Sequence, residues 1–456
     1  MKGKIIGGIL LVVALIGVLI GYGMMNEKQE MTSVAESVEE VTAEESQVTE
    51  SELMELPTSL DGLTARETLV PWKGTEGELV LRSVGDVLIH DRVSWLADVE
   101  SPVYQAAVED LTADGILTED DAAAVLGGEA HEMDLNSAEF DFLPMLARIA
   151  PYTVYADVTI ANLEVIAAYP QLPVTGYPQF NAPASILEAL RTIGVDIVSN
   201  GTNHTLDWFS EGAHASLENL NEAGLMYTGS YADIEDFQTP RIIEKNGISV
   251  GFLTYSYGTN GIPVPAGEEH LISLVDLPVM LEEVEWLKPQ VDAVIVTLQL
   301  GPEYGEMPDD TQLEVFQALA DAGVKLILGG HPHVLQPVAW LNEDQTFAIY
   351  SQASFLSGQH DLDNKQGGIT EVTFKRNDDG EVVVTDPKFM PIFMLGVEAE
   401  KMYEVVPLAD YNQHAIPEGE FWYDTLDVRM HTLTDNFDFV THLETEWTEE
   451  AQDIHR

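Results

Sequence analysis

Along the middle of the chain, short continuous apolar runs alternate with longer stretches in which apolar residues recur every three or four positions. The runs Leu79 to Val84, Val158 to Ala161, Asp196 to Ser199, Val250 to Tyr255, Val291 to Thr297 and Val324 to Leu328 are predicted as buried strands. Between them, Pro183 to Thr192, Glu211 to Ala223, Leu277 to Leu287 and Thr311 to Ala322 carry helical spacing. Strands alternating with helices predict an α/β layered domain. Residues 99–141, rich in Asp, Glu and Ala, read as a helical insertion or lid.

Polar residues cluster where the predicted strands end: Gly85-Asp86, Asn162-Leu163-Glu164, Asn203-His204 and Gly329-Gly330-His331-Pro332-His333. In open α/β sheets ligands sit at the carboxyl ends of strands. His331 and His333, two apart around a proline, are expected on extended backbone with both rings turned to one point, and neutral imidazole binds zinc, manganese, iron and related metals. Asn162 and Glu164 share a side of an extended chain by the same spacing. Each has an ordinary alternative: Asp86 could cap a turn, Glu164 could satisfy local amides, and His204 could be a structural histidine in a polar loop. His214, His270 and His360 stand in no motif and read as surface residues.

Taken together, Val84-Gly85-Asp86-Val87-Leu88, Ala161-Asn162-Leu163-Glu164, Asn200-Gly201-Thr202-Asn203-His204-Thr205-Leu206-Asp207 and Gly329-Gly330-His331-Pro332-His333-Val334-Leu335-Gln336 resemble the bacterial poly-γ-glutamate capsule synthesis family, CapA-like proteins related to the calcineurin-like metallophosphatases. The resemblance runs over roughly residues 78–398. It implies a four-layer αββα sandwich and one or two divalent ions, Mn, Zn, Fe or Mg, held by Asp86, Glu164, Asn203, His331 and His333. It further implies that His204 acts on the leaving group or transition-state charge, with Asp207 orienting its ring. Three departures accompany the match. Gln299-Leu300-Gly301-Pro302-Glu303-Tyr304 stands where the family has His-Trp-Gly before Glu-Tyr, which puts a carboxamide at a histidine ligand position. The superfamily's Asp-x-His opening is incomplete, with His90 four residues after Asp86. Gln352-Ala353-Ser354 replaces the Leu-Gly-Asn of the closing motif between Tyr350-Ser351 and Phe355.

Composition adds the compartment. Lys2 and Lys4 precede the uncharged stretch Ile5 to Met25, long enough to cross a bilayer at about 30 Å as a helix. With no small-residue cleavage site after it, residues 1–25 are expected to be an uncleaved anchor, cytoplasmic at its N-terminus. Residues 26–75 are expected to be an acidic, disordered spacer, 76–398 the folded domain, and 399–456 an extension that the pattern does not place. The chain has 456 residues, no cysteine, and 78 acidic against 20 basic residues, a formal net charge of −58. Cysteine-borne lipid anchors and disulfides are excluded. Such a charge repels nucleic acid and anionic headgroups, so nucleic acid is excluded as a partner. It also repels an anionic polymer unless a metal ion, a local basic patch or salt intervenes.

Two functions are compatible with these readings. One is a membrane-anchored accessory subunit that joins other capsule-synthase subunits on an anionic polymer and keeps a partly degraded metal site. The other is a divalent-metal hydrolase of phosphoesters or envelope-polymer amides. A glycosidase needs two acids about 5–9 Å apart, which a sequence does not display, and an adhesion module leaves the strand-end motifs unexplained. The topology has a direct check: protease added to intact cells should remove the domain beyond Glu27, and survival of the domain while a known external control is cut would refute it.

Overall fold

The computed structural model describes residues 74–116, 139–396 and 402–445. The expected anchor, the acidic spacer up to residue 73 and the middle of the 99–141 insertion lie outside them. No helix among the described residues is long and apolar enough to cross a membrane.

The strands form two mixed sheets. The first runs β14 (Glu404–Pro407), β13 (Val382–Leu395), β12 (Gln366–Arg376), β1 (Glu78–Leu88), β2 (Val158–Leu163), β3 (Ile197–Ser199), β4 (Met226–Thr228), with β11 (Ser354–Ser357) beside β1 and β15 (Asp438–Phe439) beside β13. The second runs β5 (Arg241–Lys245), β6 (Ile248–Ser256), β7 (Ala293–Gln299), β8 (Leu326–Gly330), β10 (Thr346–Ser351), β9 (Gln336–Leu341). Strands β1 to β4 are mutually parallel, as are β6, β7, β8 and β10.

Alternation along each strand explains the layering. On β7, Ala293 and Ile295 face the first sheet and share a core with Leu81, Ile160, Ile197 and Leu328. Their neighbours Val294 and Val296 face outward onto Met280, Val284, Val315 and Phe316, which lie on α5 (Leu277–Leu287) and α6 (Asp310–Asp321). The outer face of the first sheet is covered by α1 (Asp91–Ala97), α2 (Pro102–Ala113), α3 (Ser185–Thr192) and α4 (Phe209–Glu222) through Val93, Val108, Leu187 and Leu217. The order helix, sheet, sheet, helix is the αββα sandwich expected. Burial on both faces is why the strands read as unbroken apolar runs.

The predicted elements are found within about two residues at most ends, but the strands run further toward the polar motifs. Strand β1 extends through Asp86 to Leu88, and β7 and β8 reach Gln299 and Gly330. Beyond residue 398, the described residues 402–445 are integral to the sandwich. Strands β14 and β15 pair with β13, and α7 (Gly419–Met430) buries Leu426 and Met430 in the core between the sheets.

A buried ion pair ties these late segments to β1. Arg82, 1% exposed, donates from Nε to Glu371 Oε2 at 2.7 Å on β12, and from its other nitrogens to the carbonyls of Tyr152 and Glu444. Glu371 also accepts from Lys388 Nζ at 2.8 Å. Burial pulls the Arg82 pKa down while Glu371 holds it up. Glu371→Ala would strand the guanidinium in the core, so an unfolding free-energy loss of about 3–5 kcal/mol in urea titration is expected; a loss below about 1 kcal/mol would contradict this role.

Candidate metal centre

Four strand ends meet across the two sheets. On β1, the register with β2 shifts between Val84 and Asp86, a bulge that turns Asp86 inward. Gly85 permits it, since a Cβ there would lie 1.9 Å from the Ala353 carbonyl oxygen. The Asp86 amide donates to that same oxygen at 2.7 Å. The Asp86 carboxylate is fully buried. Its Oδ1 accepts from Asn162 Nδ2 at 2.7 Å and its Oδ2 lies 3.0 Å from His333 Nδ1.

The histidine pair converges, but on a different backbone from the one expected. His331 and His333 have φ of +92° and +59°, so the segment is a tight left-handed turn rather than extended chain. Such angles are strained for residues with a Cβ and persist only where packing imposes them. Here β8 ends between Gln299 and the β1–β2 edge, and the chain must reverse at once. Gly330 makes the close approach possible: a Cβ would fall 2.3 Å from Gln299 Oε1 and 2.7 Å from Asn162 Nδ2. The two imidazole centroids are 5.9 Å apart.

Glu164 lies beneath both rings, completely buried. Its Oε1 is 3.7 Å from His331 Nδ1 and its Oε2 is 3.6 Å from His333 Nδ1. Neither carboxylate oxygen has a hydrogen-bond partner, and neither does His331 Nδ1. Burial, then the neighbouring Asp86 charge, pushes the Glu164 pKa well above the usual range. Burial opposes protonation of His333, but Glu164 and Asp86 outweigh it and the pKa is raised. His331 is lowered, chiefly by burial. Ligand atoms of Glu164, His331 and His333 lie within 4.8 Å of one another. Orphaned buried polar atoms cost about 1–3 kcal/mol each, and a divalent cation would satisfy this set; the donors fit the group the resemblance implies.

The remaining expected residues stand on the other side of Gln299. That side chain, 1% exposed, accepts from Asn162 Nδ2 at 3.0 Å and donates from Nε2 to Asn203 Oδ1 at 3.4 Å. The Asn203 oxygen therefore faces Gln299. His204 Nδ1 is 2.7 Å from Asp207 Oδ2, which also accepts from the Phe180 amide at 2.8 Å. The pairing of His204 with Asp207 is as expected, and it leaves Nε2 of His204 outside that bond. His90 lies at the margin: its ring meets Phe180 edge-on at 4.9 Å, and Phe180 meets His204 at 4.8 Å. Burial lowers the His90 pKa to about 4, so it stays neutral. His214 is paired with Glu268 at 3.1 Å, away from this group.

Several neighbours carried no sequence signal. The Tyr257 ring lies tilted 4.5 Å from the His331 ring and Asn260 accepts from Asn203; both come from the loop after β6, where no motif stands. Ser199 donates to Asn162 Oδ1 at 2.8 Å, fixing the amide orientation. Tyr304, 6.1 Å from His333, was visible as the Glu-Tyr of the matched motif.

A family described as bacterial capsule synthesis protein PGA_cap matches residues 80–359. The PGA biosynthesis protein CapA of Bacillus subtilis (strain 168) is 24% identical over 201 residues, 44% of this chain and 52% of that protein. The capsule biosynthesis protein CapA of Bacillus anthracis is 24% identical over 201 residues, 43% of this chain and 48% of its own length. The chain thus spans about half the length of the curated relatives it matches. Among solved structures, a phosphatase from Mycoplasma pneumoniae aligns over 70% of this chain and 95% of its own, at 14% identity and a TM-score of 0.37.

The raised Glu164 pKa makes a signed prediction for the metal-free protein. Its folded form holds a proton that the unfolded chain releases near pH 4.5, so this group's contribution is neutral below that pH and turns unfavourable as pH rises toward the folded pKa. Urea unfolding of the parent and of Glu164→Gln, both in chelator, should show the parent losing stability relative to the variant as pH rises above 4.5. A difference that is flat or grows in the parent's favour would contradict the assignment.

Proposed function

The chain belongs to the PGA_cap family of bacterial capsule synthesis proteins, matched over residues 80–359, and from that premise we propose that it serves in making a poly-γ-glutamate capsule or a related envelope polymer, as a membrane-anchored accessory subunit that binds one divalent ion. One observation carries the metal reading: Glu164, His331 and His333 bring buried ligand atoms within 4.8 Å of one another, with three of those residues' polar atoms unpartnered. Asp86 adds a carboxylate through its contact with His333. The proposed single stoichiometry follows from Gln299, whose amide is spent bridging Asn162 and Asn203 where the resemblance implies a histidine ligand. A carboxamide is a weaker donor than imidazole toward borderline metals, so the partly degraded site favours the accessory role. Residues 1–25 would anchor the protein and 26–75 hold the domain away from the bilayer, on the outside.

Hydrolysis is the second reading, favoured by the His204–Asp207 pair. A bound ion would supply Lewis acidity and a more acidic water. The chain's own residues would do the rest. Asp207 accepts the Nδ1 proton of His204 and fixes the tautomer, leaving Nε2 to take up or give a proton. The Phe180 amide holds the Asp207 carboxylate in place. Gln299 and Asn162 lock Asp86 toward His333.

Metal analysis of the purified protein should find one equivalent per chain, and His331→Ala with His333→Ala should abolish it while the thermal transition persists. Gln299→His should tighten binding about tenfold or more, since it restores a nitrogen donor. Unchanged metal content in the double variant would refute the ligand assignment. With metal bound, turnover of a chromogenic phosphoester selects the hydrolase over the accessory subunit.

A further inference from the structure

Strands in both sheets change character at one level. On the face turned toward the other sheet, β1 carries Leu79, Leu81 and then Ser83, β2 carries Val158, Ile160 and then Asn162, and β3 carries Ile197 and then Ser199. From the opposite sheet, β6 brings Phe252 and then Thr254, and β7 brings Ile295 and then Thr297. The two-residue period of a strand keeps each of these columns on one face. Every column thus passes from apolar to polar just before the metal centre. The five polar residues line one cavity of about 10 Å³, joined by Gln352 from the turn after β10. All six side chains are buried.

A buried hydroxyl or amide needs a partner. Ser199 donates to Asn162 Oδ1 at 2.8 Å, and the hydroxyls of Thr254 and Thr297 bond one another. Ser83 Oγ and Gln352 Oε1 have no partner in the protein. A cavity of this size admits one water molecule, and its polar lining disfavours an apolar guest. Proton counting selects water over a monovalent cation. The Gln352 oxygen can only accept, the Ser83 hydroxyl has a proton to give, and the Thr254–Thr297 pair holds two protons for one internal bond. Water donates to the first and accepts from the others, whereas a cation would leave the Ser83 proton without an acceptor.

We propose that this cavity is the binding site of one ordered water, held between the two sheets by Ser83, Gln352 and the Thr254–Thr297 pair. The assignment stands independently of the metal reading, because none of these residues is a candidate ligand. Asn162 and Gln299 line the same cavity, so the water supports the amide pair that fixes the Asp86 carboxylate. Its hydrogen bonds join the first sheet to the second at the level where apolar packing between them has ended.

Crystals of the full chain, grown in detergent with chelator and diffracting well enough to show ordered water, provide the first test. A peak is expected within hydrogen-bonding distance of both Ser83 Oγ and Gln352 Oε1. Replacing sodium with rubidium should leave that peak unchanged; a gain in electrons would make the occupant a cation and overturn the proposal. The melting temperature is the second test, and its sign differs between a wet and a dry cavity. Ser83→Ala should melt about 1–2 °C below the parent, because the water loses a partner. In a dry cavity the same change removes a buried hydroxyl without a partner and raises the transition. No peak in the parent, or a Ser83→Ala transition at or above that of the parent, would overturn the proposal.

Discussion

The Asn162 amide nitrogen donates to Asp86 at 2.7 Å within its own sheet and to Gln299 at 3.0 Å on the other, and this fork holds the two sheets in register at the one edge where chemistry is possible. Its geometry requires the glycine at position 330, because any side chain there would occupy the space of both acceptor contacts. The left-handed turn carrying His331 and His333 follows directly from it. Strand β8 passes this crowded point and then reverses, and the rings land over Glu164. A polar network buried between two apolar sheets is tolerated only when its members are satisfied, and the amides of Asn162 and Gln299 are. Among the candidate ligands the unsatisfied atoms are both oxygens of Glu164 and Nδ1 of His331, where a ligand would fit.

The charge balance of the centre runs against that of the chain. Outside, an excess of carboxylates makes the surface repel anions. Inside, the Asp86 charge adds to the cost of ionising the buried Glu164, with His333 close to both carboxylates. A divalent cation would compete with a proton for this cavity, so its uptake would be tied to proton release.

Much of this architecture was legible. Leu277–Leu287 is a helix with the bounds its spacing gave, and the six apolar runs are strands because both their faces are covered. Asp86, Glu164, His331, His333 and Gln299 do meet, since each ends a parallel strand and parallel strands in packed sheets finish on a common edge. The backbone of the histidine turn was not legible, because a proline between two residues biases toward extension and only tertiary crowding reverses it. Strands β12 and β13 escaped notice too. They alternate polar and apolar residues over long stretches broken by Gly367, Gly368, Pro387 and Pro391, signals that individually read as loops. Ala353 is a subtler case. The substitution in the closing motif sits at φ of +54°, the conformation a glycine would take without strain, so its effect falls on the backbone and its carbonyl still receives the Asp86 amide.

Strand β1 comes first in the described chain yet lies in the interior of its sheet, between β2 and β12, with β13 and the strands after residue 400 beyond that. Its hydrogen-bonding partners on one side emerge from the ribosome only after Gln366. Loop closure over such a span is slow. The sheet edge that carries Asp86 therefore stays incomplete through most of synthesis, and the nascent chain presents scattered acids and histidines instead of a preformed chelator. A metal ion held at this centre would therefore be selected only once the whole polypeptide has folded, and by the surroundings of the finished protein.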